Sequence, residues 1–192
     1  MILKKIRKKI YVWVLGISGM SLAIELNKNN CNTICWDDNK FVRAKAKKKN
    51  LNLTELEDVD FKDLDYLVLS PGISHRVNKP HLVANYANKY GTKIISDLEF
   101  LSFLKYKKKL IGITGTNGKS TTTKFLENSI SFGKKINARS CGNIGLPFTD
   151  LNFKKNTNEI ILVEASSFQL DRIEKLKFDI AILLNLSPDH LD

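Results

Sequence analysis

Ile111-Gly112-Ile113-Thr114-Gly115-Thr116-Asn117-Gly118-Lys119-Ser120-Thr121-Thr122-Thr123 runs from an apolar strand (about 110 to 114) through a glycine-rich turn into a lysine beside a hydroxyl. An amphipathic helix is predicted to follow over about 119 to 130. At such a strand-to-helix turn the backbone N–H groups can cradle polyphosphate, Lys119 adds a mobile cation, and the Ser120 hydroxyl can reach a magnesium ion. The general phosphate-loop rule asks for glycine five positions before Gly118, where Ile113 stands, so the part that matches is Gly115-x-x-Gly118-Lys119-Ser120. Without a ligand the same residues would make a plain turn with a solvated lysine. Motif and flanking elements agree better with a nucleoside triphosphate site.

Outward from this turn, apolar strands alternate with helices. Tyr11 to Leu15 reads as a buried strand, followed by the turn Gly16-Ile17-Ser18-Gly19 and a helix over about 20 to 29. Further strands at 33 to 36, 66 to 69 and 93 to 95 end at Asp37-Asp38, at Ser70-Pro71-Gly72-Ile73 and at Ser96-Asp97. A helix is predicted over about 79 to 89, and Ser96 or Asp97 can cap another that reaches Leu104. Strands near 135 to 138, 160 to 164 and 178 to 184 come after the phosphate turn. The alternation predicts an α/β fold with parallel sheets covered on both faces. The basic patch Lys105 to Lys109 marks the boundary: a Rossmann-like parallel-sheet domain over 1–107, then the beginning of a P-loop-type domain over 108–192. That second sheet is expected to be incomplete.

The chain has 192 residues, enough for one large α/β domain or two small ones, and a net charge of +11. Such a charge raises nucleic acid and anionic membranes as partners. Its denser patches, Lys4 to Lys9, Arg43 to Lys49 and Lys105 to Lys109, do not alternate with aromatic residues as a single-strand groove would, and no nucleic-acid motif is present. Neither nucleic acid nor stable membrane insertion is expected. Cys31, Cys35 and Cys141 are odd in number and lack CxxC spacing, a reduced pattern without a disulfide frame or zinc site. The basic start resembles the charged region of a signal peptide, but the apolar run Ile10 to Leu15 is short and ends in glycine. A cytoplasmic protein is expected.

Open parallel sheets bind ligands beyond the carboxyl ends of their strands. Four clusters fall there: 115 to 120, Cys141-Gly142-Asn143-Ile144-Gly145, Glu164-Ala165-Ser166-Ser167-Phe168-Gln169, and Asn185 to His190. Glu164 ends an apolar run, where a carboxylate can hold magnesium between phosphates; a helix-capping role fits the same place. His190 follows Pro188 in a loop, with Asp189 as a competing ligand or as an orienting group. Gly142 and Gly145 allow close backbone approach beside the amide of Asn143. Ser166, Ser167 and Gln169 offer hydrogen-bonding groups, or else cap a helix that packs Phe168 and Leu170 into the core. At the N-terminal turn Gly16, Ser18 and Ser21 stand at the positions of Gly-x-Gly-x-x-Gly, with Asp37 and Asp38 at the acidic place. The spacing suits a nucleotide-like anion, and the missing glycines argue against NAD.

Together these residues resemble the Mur ligase family of ATP-dependent, amide-forming cell-wall enzymes. The resemblance spans nearly the whole chain in six ordered motifs: Gly16 to Ser21, Ser70 to Ile73, Gly112 to Thr123, Gly142 to Gly145, Glu164 to Leu170, and Pro188 to Asp192. The central turn is shared with folylpolyglutamate synthases and indicates a reaction class. Asn117 and Ser166-Ser167-Phe168-Gln169-Leu170 resemble the D-glutamate-adding members. The resemblance implies a UDP-substrate domain, a central ATPase domain and a third domain. This chain would be a fragment holding the first and part of the second, without the modified lysine that helps hold a second magnesium.

By the same resemblance, ATP would be bound by Gly115, Thr116, Asn117, Gly118, Lys119, Ser120 and Thr121. The catalytic residues would be Lys119, Asn143, Glu164 and His190, with magnesium held by Ser120, Glu164 and His190. The UDP-substrate would meet Ile17, Ser18, Asp37, Asp38, Asn39, Ser70, Pro71, Gly72, Asn143 and Ser166, although many relatives have a hydroxyl residue followed by arginine where Asp38 and Asn39 stand. The implied reaction joins D-glutamate to UDP-N-acetylmuramoyl-L-alanine through an acyl phosphate, in a monomeric protein. The rival readings are another Mur-type ligase, a folylpolyglutamate synthase, or a non-catalytic nucleotide- or UDP-sugar-binding module.

Overall fold

A computed structural model describes residues 3–75, 80–133, 135–143, 145–153, 155 and 158–188. It contains two four-stranded parallel sheets. The first has strands β1 (Lys9–Trp13), β2 (Asn32–Trp36), β3 (Tyr66–Leu69) and β4 (Lys93–Ile95) in the order β2-β1-β3-β4. The second has β5 (Lys109–Thr114), β6 (Asn137–Gly142), β7 (Glu159–Glu164) and β8 (Ile180–Leu183) in the order β6-β7-β5-β8. The expected α/β class is therefore what the chain adopts. Its helices are α1 (Ile17–Lys28), α2 (Lys40–Lys48), α3 (Leu82–Tyr90), α4 (Lys119–Ser131) and the single turn α5 (Ser167–Leu170).

Strand alternation explains how both faces of the first sheet are covered. Ile10 and Val12 of β1 join a core with Leu22 and Leu26 of α1, while Tyr11 and Trp13 point the other way, into a core with Val83, Ala84 and Ala87 of α3. The second sheet works likewise. Leu162 of β7 packs with Ile113 and the α4 side chains Leu126 and Ile130, whereas Ile161 and Val163 face the opposite side. On that side they enter the same apolar cluster as Ile10, Leu22 and Leu98, so one core runs through both sheets. Each fully buried aliphatic side chain of this kind stabilises the fold by about 1.5–3 kcal/mol.

Two elements differ from the sequence reading. The lysine-rich segment 40–48 is helical: the Asn39 side chain caps it by accepting from the Phe41 N–H at 2.9 Å, Ala46 is its one fully buried residue, and Val42 packs half-buried against the core. Residues Asp97–Phe103 form a 3-10 helix, and the Ser96 side chain does not cap it. Asp97, Leu98, Glu99, Phe100 and Leu101 are all buried, so the segment has no solvent stripe on which an amphipathic α-helix could be built. Among the described residues no helix is long and apolar enough to cross a membrane.

Candidate nucleotide and substrate site

The carboxyl end of β5 delivers the phosphate turn. Gly118 sits at φ +84°, left-handed backbone open to glycine, and from there α4 starts with its first N–H groups facing out of the turn. The segment after β8 staples the turn. Asn185 O accepts from the Thr116 N–H at 3.1 Å, and the Asn185 side chain both accepts from the Asn117 N–H and donates to Asn117 O, each at 2.9 Å. The Thr116 hydroxyl accepts from the Ser187 N–H at 2.9 Å. Lys119 folds back so that its ammonium donates to Gly115 O at 2.6 Å and Thr116 O at 2.9 Å. The turn is thus preformed, with a cation already drawn over it.

Beside the turn, at the carboxyl end of β7, lies Glu164. It pairs in register with Ile113, is 2% exposed, and accepts from the Ser120 hydroxyl at 3.3 Å. Carboxylate and hydroxyl therefore converge at the crevice between neighbouring parallel strands. Asn143 is exposed just after β6, and its N–H donates to Glu164 O at 2.8 Å. Gly142 permits this approach: a Cβ there would stand 2.1 Å from Glu164 O, at φ +120°. Ser166 caps α5 in a reciprocal box with Gln169, so the capping alternative for this hydroxyl is realised. Phe168 is 40% exposed and does not fill the core. His190, expected as a metal ligand, lies outside the described residues.

In the first sheet Ile17 and Ser18 form the first turn of α1, with Ile17 exposed, and the Ser70-Pro71-Gly72 turn leaves the adjacent strand β3. Asp37 is buried and uses both carboxylate oxygens on backbone: Oδ2 accepts from the Leu15 N–H and Oδ1 from the Asn39 N–H, each at 2.8 Å. It shapes the loop that precedes α1. Asn39 is occupied as a helix cap, and Asp38 is exposed. Arg43 braces this loop: it lies over the Trp36 ring at 4.5 Å and donates to the carbonyls of Asp37 and Asp38 at 2.8 Å.

Three residues outside the expected site, of which only Asp97 was named in the sequence and then as a helix cap, tie the two sheets together at this crevice. Asp97, buried, accepts from Gln169 Nε2 at 2.9 Å; burial pushes its carboxyl above the usual range, an effect that this hydrogen bond and neighbouring donors only partly offset. The Glu99 carboxylate accepts from the N–H groups of Glu174, Lys175 and Leu176 at 2.8 to 3.3 Å. Arg172, 3% exposed, donates to the carbonyls of Leu69, Ser70 and Ile73. No local motif announces such contacts, since their partners lie 72 or more residues away.

Residues 113–192 match the Mur ligase middle domain. The chain is 37% identical over 189 residues to the UDP-N-acetylmuramoylalanine–D-glutamate ligase of Wolbachia pipientis wMel, covering 96% of this chain and 36% of that protein. It is 40% identical over 190 residues to the enzyme of the same name from Rickettsia prowazekii, covering 97% of this chain and 40% of that one. The chain thus spans roughly two fifths of the length of these relatives. Among solved structures, the UDP-N-acetylmuramate:L-alanyl-gamma-D-glutamyl-meso-diaminopimelate ligase from Neisseria meningitides shares the fold at a TM-score of 0.54 and 18% identity, over 97% of this chain and 63% of that one. The UDP-N-acetylmuramate-alanine ligase from Thermotoga maritima does so at 0.52 and 20%, over 96% and 43%. A preformed phosphate turn with Glu164 beside it, in a chain that matches the Mur ligase middle domain over 113–192 and aligns along nearly its own length with part of such enzymes, places this chain in the Mur ligase family.

Proposed function

We propose that the complete protein is an ATP-dependent ligase that adds D-glutamate to UDP-N-acetylmuramoyl-L-alanine in the cytoplasm, acting as a monomer. Its substrate domain would be residues 1–107, and its ATP-binding domain would begin at 108. The observation that carries this reading is the convergence of Ser120 and Glu164, 3.3 Å apart, beside a turn that already holds Lys119.

The residues present fit the groups that such a reaction needs. Among the described residues no cluster of three His, Cys, Asp or Glu is placed to hold a metal. Magnesium bound through phosphates needs only one or two protein oxygens, and Ser120 with Glu164 supplies that number. His190 is the further ligand proposed from the family motif. When bound, ATP and magnesium supply the phosphoryl group that activates the substrate's terminal carboxylate as an acyl phosphate, and the charge that neutralises its oxygens. Lys119 would exchange its two carbonyl partners for phosphate oxygens, a stronger charge-assisted contact. The open N–H groups at the start of α4 would meet the same anion. Asn143, fixed through Glu164 O, would present its amide to the reacting carboxylate. Ser18, Ser70, Pro71 and Gly72, with Ile17 and the 37–39 loop, would hold the UDP portion. Positioning and charge neutralisation of this kind need no general base among these residues.

Lys119→Ala in the complete protein is expected to lower kcat/KM by about a hundredfold or more, read as ADP release that depends on both D-glutamate and the UDP-substrate. Near-normal turnover would sink the assignment. A panel of other amino acids and carboxylates separates this activity from that of another Mur-type ligase or a folylpolyglutamate synthase.

A further inference from the structure

Arg172 follows α5 in the second half of the chain, yet almost every polar contact recorded for it is made with the first sheet. Its guanidinium donates through Nη1 to Leu69 O at 3.3 Å and Ser70 O at 2.9 Å, through Nη2 to Ile73 O, and through Nε to His75 Nδ1 at 3.1 Å. Its own carbonyl accepts from the Ser96 N–H at 3.0 Å, at the end of β4. One residue is thus inserted between the carboxyl ends of β3 and β4. His75 is held from its other side by Asp171, whose Oδ2 lies 3.0 Å from His75 Nε2.

Two of the carbonyls gathered on this cation, Ser70 O and Ile73 O, belong to the Ser70-Pro71-Gly72-Ile73 turn, and the third, Leu69 O, ends β3 just before it. Among the described residues the one backbone bond within the turn is the Ile73 N–H to Ser70 O at 3.1 Å, and the Ser70 hydroxyl reaches Val14 O at 3.3 Å. One bond across four residues leaves the turn weakly determined by itself. A planar fork with five donors can fix three carbonyl directions at once, which a lysine ammonium on a flexible stem does poorly. Because a trans peptide carries its N–H opposite its C=O, drawing Ile73 O inward onto Arg172 turns the Ser74 N–H outward, on the side away from the guanidinium.

We propose that Arg172 is a positioning residue for the nucleotide-sugar substrate: inserted from the second sheet's half of the chain, it sets the shape of the 70–73 turn that meets the substrate's diphosphate. The inference rests on the function proposed above for that turn. It makes the first sheet's binding loop dependent on a side chain more than ninety residues further along the chain.

The test uses the complete protein. Arg172→Lys and Arg172→Met are expected to raise KM for the UDP-substrate about tenfold, with KM for ATP unchanged and kcat at saturation within about threefold. His75→Ala removes one acceptor without taking away the buried cation, and is expected to shift the same KM about threefold in the same direction. It serves as the deciding variant if the Arg172 substitutions do not fold. A purely structural role would lower the melting temperature of the Arg172 variants, or stop them folding, while the KM values of every folded variant stayed fixed. That result overturns the proposal, as does an equal rise in KM for ATP. If the unsubstituted protein shows no turnover of the UDP-substrate, it is the function itself that fails; active wild type with no shift in KM sinks only the role of Arg172.

Discussion

Gly142 shows how a residue can be read correctly for its type and incompletely for its purpose. Its glycine signals close approach, and the group approached is Glu164 O, the same carbonyl that fixes Asn143. Gly142→Ala would place a methyl group 2.1 Å from that oxygen at φ +120°, and is expected to destabilise the chain by about 2 kcal/mol or more in chemical denaturation. Gly133→Ala, where an added Cβ meets nothing within 4 Å, is the control and should stay within about 0.5 kcal/mol. Phosphate-turn residues were legible because their chemistry is local: Gly118, Lys119 and Ser120 are consecutive. Asp37 was legible as an acid at a strand end, but its commitment to the N–H groups of Leu15 and Asn39 depends on β1 and β2 being neighbours. Arg172 was not legible at all, because burial beside distant backbone leaves no trace in spacing, and Asp97 was read only as a helix cap because its Gln169 partner lies 72 residues away. Burial also explains why Cys35 is no reactive thiol: it pushes the group up to about 12.

At the scale of elements, strands were the easiest to anticipate and α2 the hardest. Strands such as Ile160 to Val163 are apolar runs buried on both faces, whereas α2 fully buries a single alanine and owes its start to the Asn39 cap. The junction between β5 and β8 carries its own test. Asp179 accepts from the Leu110 N–H at 2.9 Å and from Lys109 at 3.2 Å, while its own N–H donates to Leu110 O at 2.9 Å. The Leu110 backbone bond first, and then Lys109, holds its carboxyl below the ordinary 3.8. A folded value lowered in this way adds stability that is complete above the unfolded value and is lost as pH falls through the folded one. Asp179→Asn is therefore expected to melt below wild type at about pH 7, with a smaller gap at about pH 3, below the ordinary value. A gap of equal size at both would remove the charge from the explanation.

Across the whole molecule, the apolar cluster shared by the sheets implies that they unfold together. Trp13 and Trp36, the two tryptophans, both lie in the first sheet, so their fluorescence reports on it alone, while circular dichroism reads helices from both halves. The two denaturation curves are expected to coincide; separate midpoints would show that the halves melt independently. The connection has a further consequence in time. A chain made from its N-terminus can pair β1, β2, β3 and β4 early, since all four precede residue 96. The carbonyls of Leu69 and Ser70 then wait for a guanidinium 103 and 102 positions downstream. A chain cut short anywhere between these points carries a first sheet whose 70–73 turn lacks its Arg172 contacts, however complete its strands.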